Sequence, residues 1–96
     1  MKINVFGKQD CSTCKQMHEK MLHCIEKWNM KERVTVNYIN MDTIDGMAEA
    51  AFHDIAEVPT VVVEKDGSAV ARYDGGVSDS RQLQLRLQEI EVGNIN

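Results

Sequence analysis

Proline and aromatic residues are scarce in this chain: one Pro, two Phe, two Tyr and one Trp among 96 residues. With so little proline, helices meet few breaks, and the sole example, Pro59, gains positional meaning. No stretch approaches the ~20 apolar residues of a membrane span, so no membrane association is expected. Basic residues are in the minority, 11 Lys and Arg against 15 Asp and Glu, for a net charge of −4. That balance argues against a nucleic-acid partner, which needs a clustered basic face. Three cysteines, an odd count, do not make a disulfide framework. Met1 to Phe6 has no apolar run long enough for a secretory leader. A reducing, cytoplasmic setting is therefore expected, where a Cys pair is more often reactive than structural. The length predicts one domain over residues 1–96.

What is present is Cys11-Ser12-Thr13-Cys14, and its position matters more than its spacing. Residues 2–6 read as a short apolar strand, and Gly7-Lys8-Gln9-Asp10 as a turn. A helix is predicted over residues 12–31, since Lys15 to Lys31 has neither Gly nor Pro. Cys14, Met17, Met21, Cys24, Ile25 and Trp28 share its apolar stripe. The cysteines thus fall at a helix N-terminus, whose free N–H groups and partial positive charge stabilise a thiolate. There a Cys-x-x-Cys can run thiol–disulfide exchange, with Cys11 attacking and Cys14 resolving. Lys8 and Lys15 add positive field and Asp10 opposes it, so a moderately lowered Cys11 pKa is expected. Ser12 and Thr13 bring no rigidifying ring between the sulfurs.

Residues 34–39 are rich in β-branched side chains and predict strand two. Asp42 or Thr43 caps a short helix running to about His53, with Gly46 counting against it. Thr60 to Val63 reads as a strand covered on both faces. Lys65-Asp66-Gly67-Ser68 is a hairpin turn leading to a fourth strand, Ala69 to Tyr73. Ser78 or Asp79 caps a last helix on which Leu83, Leu87 and Ile90 share a face. Val92 to Asn96 is expected to fray. A helical crossover makes strands one and two parallel, and the hairpin is antiparallel. The prediction is an α/β fold: βαβ, then a helix, then ββα, giving one four-stranded mixed sheet with three helices on both faces.

Three local matches make the chain similar to the thioredoxin-like superfamily over nearly its whole length. Cys11-Ser12-Thr13-Cys14 follows strand one. Ile55-Ala56-Glu57-Val58-Pro59-Thr60 resembles the family's Val/Ile-Pro-Thr segment before strand three. Lys65-Asp66-Gly67, followed by Gly75-Gly76 and Leu83, resembles its hairpin and closing glycine. The resemblance implies a thioredoxin/glutaredoxin-like protein disulfide oxidoreductase with no bound cofactor. It implies a cis Val58–Pro59 bond beside the cysteines, and a substrate surface of Val58, Pro59, Thr60, Gly75 and Gly76. Lys8, Asp10, Ser12 and Thr13 would tune the site. Protein disulfides would be the substrates, a reductase or glutathione the electron donor, and a monomer the working form. The chain departs from the family at Asp10, where thioredoxins place Trp, and at Ser12-Thr13, where they place Gly-Pro. No acidic residue in strand one matches the buried thioredoxin aspartate.

Other readings compete. Cys-Ser-Thr-Cys-Lys also resembles arsenate-reductase-like starts, but those chains carry an Arg before the downstream proline, and here that segment is Glu57-Val58-Pro59-Thr60. A metal or iron–sulfur module is a second alternative, and a redox-inactive interaction domain a third. His18 could join the cysteines as a third ligand, but no fourth lies near in sequence, so no metal site is expected. His23 and His53 read as surface or boundary residues. Cys24 lies ten residues after Cys14, about 15 Å along a helix, and reads as a small hydrophobe. Asp79 reads as a helix cap before it reads as a contact for a glutathione amine.

Overall fold

The computed structural model describes residues 1–93. Its elements run β1 (Lys2–Gly7), α1 (Ser12–Lys27), β2 (Thr35–Asn40), α2 (Ile44–Phe52), β3 (Thr60–Lys65), β4 (Ser68–Asp74) and α3 (Ser80–Glu91). The strands form one mixed sheet in the order β2-β1-β3-β4. β1 and β2 are parallel, with Ile3 opposite Val36 and Val5 opposite Tyr38. β3 runs antiparallel to both β1 and β4. This is the α/β architecture expected from the order of elements.

The valine run of β3 divides its side chains between two cores, as strand geometry demands. Val61 and Val63 join Ile3 and Val5 under α1 and α3, packed against Met21, Ile25, Leu83, Leu87 and Ile90. Val62 and Phe6 face the other way and meet Ala50 of α2. Each fully buried Val, Leu or Ile contributes about 1.5–3 kcal/mol, so the face under α1 and α3 carries most of the stabilisation.

Helix α1 stops at Lys27, four residues before the expected end. Asn29 takes φ 58°, and the Met30 N–H donates to the Ile25 carbonyl at 2.9 Å. This is a Schellman closure with Asn in the left-handed position, one of few side chains that adopt it readily. Asp54, with φ 51°, ends α2 in the same manner, and the Ile55 N–H donates to the Ala50 carbonyl at 2.9 Å.

Thr43 caps α2, its hydroxyl accepting from the Gly46 N–H at 3.0 Å. Gly46 is not the liability its low helix propensity implies. A Cβ there would lie 1.7 Å from the Asn40 carbonyl oxygen, so only glycine lets α2 seat against the end of β2. Gly46→Ala is expected to cost at least ~3 kcal/mol, the upper range for overpacking, because backbone and not a flexible side chain stands in the way. A urea midpoint lowered at constant m-value is the measurement.

Smaller differences concern the strand ends. β1 reaches Gly7, taking the first residue of the expected turn, and β4 extends one residue further at each end than the sequence predicts. Asp66 and Gly67 both have positive φ, 55° and 81°, which suits a two-residue type I′ hairpin. Pairing skips Val70 as it passes from Val63–Ala71 to Glu64–Ala69, a bulge in β4 beside Glu64. Asp79 caps α3, accepting from the N–H groups of Arg81 and Gln82 at 3.0 and 3.4 Å. Residues 94–96 of the expected frayed tail lie outside the described residues. Among those described, no helix is long and apolar enough to cross a membrane.

Candidate active site

Cys11 caps α1 with its sulfur. It occupies the N-cap position in extended conformation, and its Sγ accepts from the Cys14 N–H at 3.1 Å. The Thr13 hydroxyl lies 3.3 Å from the same sulfur. A serine or aspartate oxygen usually fills this role; here a sulfur meets the helix's unpaired donors and positive end. No acidic residue in the first turn offsets that field. Cys11 is joined to Cys14 in a disulfide. Cys11 is partly exposed while Cys14 is fully buried, so an incoming group meets the Cys11 sulfur first. Lys8, Asp10, Ser12, Thr13 and Lys15 are all exposed around it.

The loop before Cys11 is held by the far end of β2. The Tyr38 hydroxyl donates to the Lys8 carbonyl at 2.6 Å, and the Cys11 N–H donates to the same oxygen at 3.3 Å. The Gln9 N–H donates to an Asp42 carboxylate oxygen at 2.8 Å, and the Met41 N–H to the Gly7 carbonyl at 2.8 Å. Burial pushes the Tyr38 pKa up, and the Asp42 carboxylate adds to the rise, so its hydroxyl remains a donor at neutral pH. The contacts from Tyr38, Met41 and Asp42 have no signature in the sequence, because they join residues about thirty apart. The His18 ring packs 5.5 Å from that of Tyr38. Among the described residues, neither it nor the cysteines belong to a group close enough to hold a metal ion.

The Val58–Pro59 bond is cis, as expected. Pro59 and Thr60 are buried and Val58 is half-buried. The Thr60 hydroxyl donates to the Glu57 carbonyl at 2.7 Å, closing the turn into β3. Among the described residues, the Val58 N–H and carbonyl have no hydrogen-bond partner. Gly76 backs onto this turn and onto α1: a Cβ there would lie 3.4 Å from Pro59 Cγ and 2.7 Å from Met17 Cε. Met17 follows Cys14 by three residues, so Pro59, Gly76 and the cysteine-bearing end of α1 meet through it. Gly75 instead faces Glu57, whose carboxylate a Cβ would approach to 3.7 Å.

A model of the thioredoxin-like domain matches residues 2–91. The chain belongs to the thioredoxin-like domain family. Its structure is similar to thioredoxin 1 from Thermosipho africanus, with a TM-score of 0.73 at 23% identity, covering 99% of this chain and 100% of that one. Oxidised thioredoxin O2 from Arabidopsis thaliana gives 0.69 at 21% identity, over 91% of this chain and 72% of that one. Fasciola hepatica thioredoxin gives 0.68 at 20% identity, over 92% and 78%. At these identities the likeness is one of fold. No curated protein sequence matches the chain.

In this thioredoxin-like domain Cys24 stands apart from the cysteine pair. It is 7% exposed in the core, and burial pushes its thiol pKa up while Lys20 and Lys27 pull less strongly the other way. The unfolded chain therefore loses this proton first as pH rises. The thiol's contribution to stability is full below the ordinary thiol pKa and fades as pH climbs through it towards the folded value. Cys24→Ala is expected to cost about 1 kcal/mol near neutral pH and to flatten the alkaline decline. Urea titrations between neutral and alkaline pH test this. Lost exchange activity at unchanged stability would instead make Cys24 functional.

Proposed function

We propose that the protein is a thiol–disulfide oxidoreductase that reduces protein disulfides. The observation that carries this reading is the pairing of an accessible Cys11 sulfur, capped by the Cys14 N–H, with a fully buried Cys14. In the reduced protein the Cys11 thiolate attacks one sulfur of a substrate disulfide. A mixed disulfide forms and the other substrate sulfur leaves as a thiolate. The Cys14 thiolate then attacks the Cys11 sulfur, releasing the second substrate thiol and closing the Cys11–Cys14 disulfide. Two electrons pass from the dithiol to the substrate, and a reductase or glutathione restores them.

The unpaired backbone of Val58 supports a docking edge, where an extended substrate adds as a short strand. Pro59 and Thr60 form its floor, and Gly75 and Gly76 its neighbouring wall. Lys8, Asp10, Ser12 and Thr13 set the field at Cys11. The protein works as a monomer in a reducing cytoplasm without a bound cofactor. Reduction of insulin disulfides, measured beside the Cys11–Cys14 potential in glutathione buffers, is the direct test. A dithiol that equilibrates with glutathione but turns over no protein disulfide would sink this function.

A further inference from the structure

Glu49 and His53 lie four residues apart at the end of α2, a spacing that puts both on one side of the helix. Glu64 follows Val62 by two residues on β3, so it points to the sheet face that α2 covers. The three donor atoms lie within 4.8 Å of one another. His53 Nε2 is 3.6 Å from a Glu64 oxygen and 3.9 Å from a Glu49 oxygen, both too long for hydrogen bonds. The imidazole is set firmly in place. Its side chain is 12% exposed, with the rings of Phe6 and Phe52 edge-on at 5.7 and 5.1 Å. Arg72 fixes the helix end by donating to the carbonyls of His53 and Asp54. Among the described residues, neither glutamate pairs with Lys or Arg. A cavity of about 460 Å³, lined in part by Glu49, His53, Glu64 and Ser68, opens onto the three donors.

We propose that Glu49, His53 and Glu64 bind a first-row dication of the Zn²⁺ type, at a site separate from the cysteines. The donor set is one imidazole and two carboxylates, whose two negative charges match a dication. Tetrahedral zinc with bonds of about 2.0–2.1 Å holds its donors about 3.3–3.4 Å apart. The gaps to His53 are a few tenths of an ångström wider; the half-exposed Glu49 side chain can swing to close the larger one, and the one to Glu64 needs only a small shift. The fourth position faces the cavity, open to water or an outside ligand. The imidazole selects against Mg²⁺ and Ca²⁺, which prefer oxygen. Along β3, Glu64 pairs with Lys2 at the start of β1, whereas Thr60 pairs with Phe6 near its end, the end that leads to Cys11. Four residues, about 13 Å of strand, therefore separate this site from the redox end of the sheet.

The test is Zn²⁺ competition against a chromophoric chelator, on protein with the Cys11–Cys14 disulfide closed so that neither sulfur can ligate. One equivalent of Zn²⁺ should bind. Co²⁺ in its place should show visible d–d bands without thiolate charge transfer. Glu64→Gln, Glu49→Gln and His53→Gln should each weaken binding at least about tenfold, since even outer-shell partners are worth that much. Glu19→Gln, exposed on α1 across the sheet from α2, should not. If His53→Gln fails to fold, the two glutamate variants still decide. Unchanged binding in those variants, equal competition by Mg²⁺, or uptake only after the disulfide is opened would each overturn the site.

Discussion

Cys11→Ser is expected to abolish disulfide reduction, while Cys14→Ser should accumulate mixed disulfides with substrate. The asymmetry follows from position. Cys11 is the helix cap, partly exposed and hydrogen-bonded through its sulfur to the Cys14 N–H. Cys14 is inside, at 0% exposure, and reaches only the Cys11 sulfur once that sulfur carries the substrate. Removing Cys11 removes the attacking group, so the rate should fall to that of the uncatalysed exchange. Removing Cys14 leaves attack intact and deletes resolution. A non-reducing gel after incubation with a disulfide substrate reads the trapped species directly. Trapping by Cys11→Ser and not by Cys14→Ser would reverse the roles assigned here. Because the N-cap field acts on whichever sulfur holds that place, such a reversal would also remove the electrostatic argument for thiolate stabilisation.

How much of this was legible beforehand depended on whether the signal was local. The Cys-x-x-Cys, the valine run of β3 and the Asp66-Gly67 turn each carry their structural reason within a few residues, and each appears where the sequence places it. The Asp79 cap is equally local. The end of α1 carries no such local signal: its stop is Asn29 in a left-handed conformation, which composition does not separate from an ordinary surface Asn. Gly46 is hidden from the sequence for a related reason: propensity counts its missing side chain as a loss, whereas the Asn40 carbonyl occupies the space a Cβ would need. The supports of the site loop, Tyr38 and Asp42, became visible only once β2 lay beside β1. The same is true of His53, which reads alone as a boundary residue and meets Glu64 only when α2 packs over β3.

Gly7→Ala is expected to be the single change outside the cysteines most damaging to the exchange reaction, although Gly7 itself takes no part in the chemistry. Gly7 ends β1 where α1 and the Tyr38 side chain both press on it. A Cβ there would lie 2.5 Å from Cys14 Cβ, 2.5 Å from the Tyr38 hydroxyl oxygen and 2.9 Å from Cys14 Sγ. Each gap falls well short of ordinary contact, which begins near 3.4 Å. The backbone at Gly7 is ordinary extended strand, so space alone is the constraint. The tyrosine tip can swing aside, at the loss of its hydrogen bond to the Lys8 carbonyl, worth about 1 kcal/mol. Cys14 Cβ cannot, because it is fixed to the first turn of α1. The helix must lift from the sheet or the strand must bow. Overpacking of this kind costs ~1–3 kcal/mol or more, and a displacement of about 1 Å at a reacting group can cost ~10²-fold in rate. Tyr38→Phe in the same chain separates the two contacts. It should recover the part of the stability loss that comes from the hydroxyl, and leave resolution by Cys14 slow. Urea denaturation reads the first effect, and single-turnover decay of the mixed disulfide the second. A Gly7→Ala protein with wild-type stability and resolution rate would show that α1 does not close on β1 at this point.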